Sequence, residues 1–535
     1  MRPLIEEIQT EHTPESLATQ LLPLHSNVVL LRTSQFDSPS ARYSFVAAWP
    51  FLTFRSFGSR CEIVAANVSS RLTHPDLPPI HAGRHIQFGN PWHLLDALMS
   101  RFELLDEIDW PFPLGGAFGY WGYDLKNFTE PKLPRRAAND LELPDCHAGF
   151  YDSLVVFDHR LGKVCVISTG VDADGSRCEA RAAERLKFWK SRLSNSSSAK
   201  PKSGMSMNQT RPQPGPLLRE EGETVSAPSQ NPALSVQGFK CPVVPGSPTK
   251  DVCSNLSRAE FISAVERAQK YIRAGDIYQA NLSHRLTAPC ELSSWDIFQR
   301  LSSVSPAPFA AFLDCDGGSR GSRFALASSS PEQFLRMSGA HIVTRPIKGT
   351  RPRDAEPTRD AQLAYEMQTS PKELAELVMI TDLLRNDLGK VCEYGSVQVP
   401  ELARLQKFAQ VQHLVSTVEG RLRNEVTHFA AFASCFPGGS ITGAPKFRAM
   451  EIIDELEPVA RGPYCGAIGY LGFNRESQLS IIIRTAICQA GVVHFNVGAG
   501  IVADSMAEAE YEETMAKARG FLDALNLNDE IRMTK

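Results

Sequence analysis

The residues of this 535-residue chain whose types and spacing could do chemistry lie in its C-terminal half. Glu373 and Glu376, in SPKELAELVMITDLLRNDLGKV, are three apart, so on a helix both carboxylates project from one face. Glu510 and Glu513, in AEAEYEETMAKARG, repeat the arrangement, with Lys517 four residues beyond Glu513. Two helices that each present a Glu pair can supply oxygen ligands to a magnesium ion, with water or substrate completing the set. Spacing also permits a plainer reading. Glu373 can close a capping box with Ser370, Glu376 can pair with Lys372, and Glu513 can pair with Lys517 on a solvated surface.

Lys348 stands in TRPIKGTRPR, ordinarily a solvated loop; buried beside a cationic or apolar wall, its amine would become a nucleophile. Glu332 follows Pro331 at the end of the strand-like FALASSS, and partial desolvation would make it a general acid. FPGGSITGAPKFRAMEII is a glycine turn running into a helix, which offers N–H groups and a positive dipole end to an anion. Gly438 and Gly443 have the P-loop spacing, but Ala444 stands where the lysine is needed. Gly498, Gly500 and Ala503 follow a strand-like VVHFNV with the spacing of a dinucleotide fingerprint. The 32 residues beyond Ala503 do not accommodate the strands such a domain needs.

These residues need elements to position them. Ser370 caps and Pro371 opens a helix with Leu374, Leu377, Val378 and Leu384 as its buried stripe. Ser257 and Glu260 form a capping box ahead of the stripe Phe261, Val265, Ala268 and Ile272, which stops at Gly275. In the first part of the chain Val28 to Leu31 and Tyr43 to Ala48 read as strands. Leu154 to Phe157 and Val164 to Ile167 read as a hairpin turned at His159 to Gly162, and a helix pattern covers Arg177 to Leu193. Residues 194–253 shift to Ser, Pro, Gly, Gln and Lys and read as a disordered linker between an N-terminal domain at 1–193 and a catalytic domain at 254–530.

With 42% hydrophobic and 22% charged residues the chain has ordinary globular composition. A net charge of −4 argues against a nucleic-acid surface, and no apolar run approaches the roughly 20 residues of a membrane helix, so neither partner is expected. Glu6, Glu7 and Glu11 occupy the region where a signal peptide would be basic and then apolar, and a cytoplasmic location is expected. The 12 cysteines include no C-x-x-C pair and read as reduced thiols.

Taken together, GDIYQANLSHR (275–285), SPAPFAAFL (305–313), SSSPEQFL (328–335), RPIKGTRPR (345–353), KELAELVMITDLLRNDLGKV (372–391), VQHLVSTVEG (411–420), PGGSITGAPK (437–446), GPYCGAIGY (462–470), IIIRTA (481–486) and VGAGIVADSMAEAEYEETMAKA (497–518) resemble the chorismate-utilising enzymes. The N-terminal PLGGAFGYWGYDL (113–125) resembles the accompanying region of aminodeoxychorismate and anthranilate synthase large subunits. The resemblance implies an α/β fold of two mostly antiparallel sheets sandwiched between helices, with the site in the cleft between them.

The resemblance also implies roles. Glu376 and Glu513 would be Mg2+ ligands, supported by Glu373 and Glu510. Tyr464 and Arg484 would hold the enolpyruvyl carboxylate of chorismate, with Lys517 and the backbone at Gly443, Gly498 and Gly500 adding positive field. Ser440, Thr442, His413 and Thr417 would line the pocket. Lys348 would attack ring carbon 2 while Glu332 protonates the departing carbon 4 hydroxyl. A lysine in PIKGT is characteristic of aminodeoxychorismate synthases, whereas anthranilate synthases, the nearest alternative, usually carry a small residue there. Ala280 departs from isochorismate and salicylate synthases, which place a base lysine at that position. A non-catalytic ligand-binding module is the third reading, against which Glu332, Glu376 and Glu513 all argue. Ammonia would come from a separate glutamine amidotransferase subunit in a heterodimer. The nearest thing to a glutaminase nucleophile is Cys465, with no suitable downstream partner beyond His494.

Overall fold

The computed structural model describes residues 2–33, 42–65, 83–107, 109–194, 252–317, 323–407 and 411–525. Two twelve-stranded sheets dominate it, and their paired strands run antiparallel; each has eleven strands in a continuous path and a twelfth beside it, Gly443–Ala444 on Gln279–Pro289 in the first and Gln398–Lys407 on Val411–Arg421 in the second. In the first sheet the order is Leu4–Glu7, Lys163–Ser168, Ser153–Asp158, Tyr43–Ala47, Val29–Arg32, Phe309–Cys315, Phe324–Ser330, Thr485–Gln489, Val492–Ile501, Gln279–Pro289 and Cys253–Ser254. The second begins with Ile347–Pro352, Val411–Arg421, His341–Arg345, Gln333–Ser338 and Glu476–Ile481. It continues through Ala467–Gly472, Gly116–Trp121, Cys146–Tyr151, Leu52–Phe57, Arg60–Ala65 and Gly83–Phe88.

The expected strands and hairpin are present, and their alternation has a physical purpose. Successive residues send side chains to opposite faces of a strand. Phe45 and Ala47 enter the core between the sheets while Val46 and Ala48 enter the core under the flanking helices. Leu154 and Val156 alternate with Val155 and Phe157 in the same way. Facing rings close the first core, as in the 5.1 Å edge contact of Phe45 with Tyr470. The outer face of the first sheet is covered by helices that contribute Leu17 and Leu21, Trp189, Phe298 and Phe521.

Three expectations need correction. The segments at 1–193 and 254–530 are not separately packed units, because each sheet takes strands from both. Leu31 is in register with Ala311 in the first sheet, and Tyr120 with Ile468 in the second. The expected linker falls mostly outside the described residues, but its last two residues, Val252 and Cys253, are ordered and buried. On the Pro371–Gly389 helix, Leu377, Ile380, Thr381, Leu384 and Leu388 form the buried stripe, and Val378 is 48% exposed. Val378 sits one residue off the 3.6-residue repeat that faces the core.

No helix among the described residues is long and apolar enough to cross a membrane.

Candidate active site

A cleft of about 530 Å³ collects most of the chemistry-bearing residues. One wall is the pair of strands Val492–Ile501 and Gln279–Pro289, which brings Asn281, Asn496, Gly498 and Gly500 to the surface of the cavity. The opposite wall carries Lys348, Gly349, Thr350 and Arg351 on Ile347–Pro352, with His413 on the neighbouring strand. Two helices close the sides. Ser370 accepts from the Glu373 amide (3.4 Å) at the start of Pro371–Gly389, which presents Lys372, Glu373 and Glu376. Ala507–Ala524 presents Glu510, Glu513, Lys517 and Phe521.

The acid expected at the end of FALASSS is rigidly placed. The Glu332 amide donates to Ser330 Oγ (3.3 Å), and its carbonyl accepts from Ile481 (3.1 Å). Its side chain is buried, and burial pushes the carboxyl up to about 7, against the opposing effects of the Ser440 hydroxyl and the Lys348 ammonium. A carboxylic acid with that value is protonated on a useful fraction of molecules at neutral pH.

Cations and carboxylates alternate around the rest of the cavity. Lys348 Nζ lies 3.4 Å from Glu376 Oε2, and Lys517 Nζ lies 2.7 Å from Glu513 Oε1 while donating to the Gly498 carbonyl (2.9 Å). Arg351 is 3.3 Å from Glu373. Burial works to raise the Glu513 carboxyl, but the ammonium groups of Lys517, Lys348 and Lys372 together hold it below the ordinary range. Burial raises Glu510, and the Glu513 charge adds to the effect, while Ser505 Oγ donates to Glu510 at 2.6 Å. Arg484 has its backbone at φ 50°, and burial lowers its pKa with no carboxylate among the described residues to offset it. A desolvated cation held in strained backbone is poised for an anionic ligand. Burial pushes His413 down to about 4, so its ring is neutral, with Nδ1 3.2 Å from the Gly349 carbonyl and 3.0 Å from Thr350 Oγ1.

The four glutamates fit a magnesium ion in donor chemistry: all are oxygen ligands lining one cavity, and the charges of Glu510 and Glu513 act on one another. Among the described residues no three His, Cys, Asp or Glu side chains already converge on one point.

Two expected pocket residues, Thr442 and Thr417, and Gly443, whose backbone was expected to add positive field, are not among the cavity-lining residues. Thr442 is fully buried with its hydroxyl donating to the Gly438 carbonyl (3.0 Å). Gly443 pairs with Ala280 at φ 145°, where a Cβ would lie 2.1 Å from the Gln279 carbonyl oxygen. Thr417 donates to Glu401 (3.1 Å) away from the cavity. Lys446 turns from the cleft to Asp387 and to the carbonyls of Cys435 (3.0 Å) and Pro437 (2.8 Å), fixing the glycine turn to the neighbouring helix. The remaining expected residues, including Ser440 and Tyr464, line the cavity. Sequence reasoning missed Asn281, Arg351, Lys372 and Asn496. The first three sit inside the motifs that carry the family resemblance, whereas Asn496 has no local signal in VVHFNV. Gly498 to Gly500 lie within a continuous strand, so no dinucleotide turn forms there.

Residues 80–523 match the family model of chorismate binding enzymes. Anthranilate synthase component 1 of Acetivibrio thermocellus is 35% identical over 504 residues, which cover 94% of this chain and 91% of that protein. Aminodeoxychorismate synthase component 1 of Escherichia coli (strain K12) is 35% identical over 499 residues, 93% of each. The crystal structure of anthranilate synthase component I from Streptococcus pneumoniae TIGR4 superposes with a TM-score of 0.67 at 28% identity, covering 91% of this chain and 93% of that one. The family-model match over residues 80–523, together with relatives 35% identical over more than nine-tenths of both chains, places the chain in the chorismate binding enzyme family.

Proposed function

We propose that this chain is the chorismate-converting component of an aminodeoxychorismate synthase, making 4-amino-4-deoxychorismate from chorismate and ammonia. The relatives of the two kinds match at equal identity, so the choice rests on one observation. Lys348, the residue on which the two synthases differ, is not a solvated loop lysine. Its amine enters the cleft beside Glu376, with its side chain 17% exposed, and its charge acts on the buried Glu332.

In this reading Arg484 and the Tyr464 hydroxyl take the enolpyruvyl carboxylate. Glu376 and Glu513, helped by Glu373 and Glu510, would hold a magnesium ion that neutralises the ring carboxylate. The Lys348 amine, once deprotonated, bonds to ring carbon 2 as both ring double bonds shift one place around the ring and the carbon 4 hydroxyl leaves, and Glu332 supplies the proton that makes it water. Ammonia then bonds to carbon 4, both double bonds shift back, and the carbon–nitrogen bond to Lys348 breaks. Two displacements of modest difficulty replace one hard one. Ammonia would reach the site from a glutamine amidotransferase subunit, and a cytoplasmic location suits such a biosynthetic enzyme.

The test is incubation with chorismate, magnesium and an ammonium salt, followed by product identification. 4-Amino-4-deoxychorismate supports the proposal. Anthranilate as the main product would assign the chain to the other synthase.

A further inference from the structure

The GYWGYDL motif at 119–125 belongs to the N-terminal segment, yet it reaches the cleft wall. Beyond strand Gly116–Trp121, the Tyr123 amide donates to the Gly462 carbonyl (2.8 Å), and the Gly462 amide donates to Asp124 Oδ2 (2.9 Å). This double bond grips the turn that begins at Arg461, a residue only 3% exposed. The Arg461 guanidinium donates through Nε and Nη2 to both oxygens of Glu457 (2.8 and 2.6 Å). It also donates through Nη1 to the Ile441 carbonyl (3.0 Å) and through Nη2 to the Asn281 carbonyl (2.6 Å). Its carbon lies 4.7 Å from the Tyr123 ring centroid and 5.8 Å from that of Tyr464. Glu457 is fixed in turn by the amide and hydroxyl of Ser283 (2.9 and 3.0 Å).

Asn281, Ile441 and Tyr464 all line the cavity, and they come from three different parts of the chain. Ile441 directly follows Ser440, whose hydroxyl bonds Glu332. Stability alone does not account for such a group, because a buried ion pair is often matched by apolar residues of similar volume. A planar fork that serves two carbonyls and a carboxylate at once is something lysine cannot reproduce. We propose that Arg461 is a positioning residue: braced by Tyr123 and Asp124 of the N-terminal segment, it sets the spacing between the Tyr464 wall and the Ser440 turn, and so the fit of chorismate to the cleft. This rests on the reading of the cleft as a chorismate site.

The test uses the full chain with Arg461→Lys, which keeps the charge, and Tyr123→Leu, which removes only the flanking ring. Chorismate affinity is read by calorimetry with magnesium present. Chorismate consumption with ammonium is read irrespective of the amino product. Arg461→Lys should weaken chorismate binding about tenfold or more and lower kcat, on the scale that small misplacements cost. Its kcat loss should not multiply with that of Ser440→Ala in the double variant, since both act through one turn. Tyr123→Leu should shift affinity in the same direction by less, and it decides the matter should Arg461→Lys fail to fold. Affinity and kcat within twofold of the parent in the folded variants, whatever the melting temperature does, would overturn the proposal. Failure of the unmodified chain to bind chorismate would overturn the reading of the cleft and this inference together.

Discussion

The Lys348 amine faces the Glu376 carboxylate at 3.4 Å, in a cavity that also holds Glu332. The group proposed to attack the ring is therefore paired with a group proposed to hold the metal. Loading Glu376 with a cation would release the amine from its ion pair, so ligand binding and nucleophile activation meet at one contact.

Lys348→Ala should abolish 4-amino-4-deoxychorismate formation while the fold survives, because the lysine's one ion pair among the described residues lies at the wall of the cleft and not in the core between the sheets. With the lysine gone, ammonia could attack carbon 2, so some anthranilate is expected. Chromatography of the products against a melting curve separates the two effects, and near-normal aminodeoxychorismate output would refute the covalent role.

Glu376→Gln and Glu513→Gln each exchange an anionic oxygen ligand for a neutral one at a hard-cation site. Magnesium affinity, titrated by calorimetry in the presence of chorismate, should fall at least tenfold in each variant. Full turnover in excess chelator would remove the metal from the account.

The pH dependence turns on Glu332, raised by burial to about 7. As a general acid it must carry its proton, so activity should decline as pH rises through about 7. The folded state prefers the protonated form more than the unfolded chain does. This contribution to stability is complete below pH about 4.5 and lost as pH rises through about 7. Glu332→Gln should therefore be nearly inactive, yet gain melting temperature relative to the parent as pH rises from about 5 to about 8. The ceiling is about 3 kcal/mol, because each tenfold change in proton affinity is worth roughly 1.4 kcal/mol. A melting-temperature difference independent of pH would contradict the burial argument.

Gly500→Ala should damage activity more than stability. A Cβ there would stand 2.3 Å from Gln279 Nε2 and 3.6 Å from Lys348 Nζ, so the Gln279 amide must shift and the new methyl itself stands beside the nucleophile. The expected result is a kcat loss of about a hundredfold with a melting temperature within a few degrees of the parent. Unchanged kcat would show that the cavity tolerates the intrusion.

Glutamine alone should not support amination by the purified chain. Cys465 is fully buried, and burial pushes its thiol up to about 12, the reverse of what a nucleophilic cysteine needs. Adding a glutamine amidotransferase subunit should switch glutamine use on. Glutamate release before that addition would reveal a glutaminase site.

The sequence by itself determined the local elements and the direction of their chemistry. The Ser257 capping box, the Ser370–Pro371 helix start, the period-2 strands and the three-residue spacing of both glutamate pairs follow from backbone periodicity and end chemistry, which involve only near neighbours. Motif resemblance added which of those residues share one cleft. Tertiary structure decided what depends on contacts between distant residues. Glu376 could meet Lys372 or Lys348, and the register of Ile347–Pro352 against Val411–Arg421 chose Lys348. Thr442, Gly443 and Thr417 look like pocket residues in their motifs, but packing against Gly438, Gln279 and Glu401 turned them to structural use. Nothing local to 1–193 or 254–530 announces that the two segments share both sheets, because strand pairing between residues as far apart as Tyr120 and Ile468 leaves no periodic trace in either strand. For the same reason the Arg461 brace was not legible: Glu457 is a local partner four residues away, but those at 123, 281 and 441 converge only when the sheets assemble.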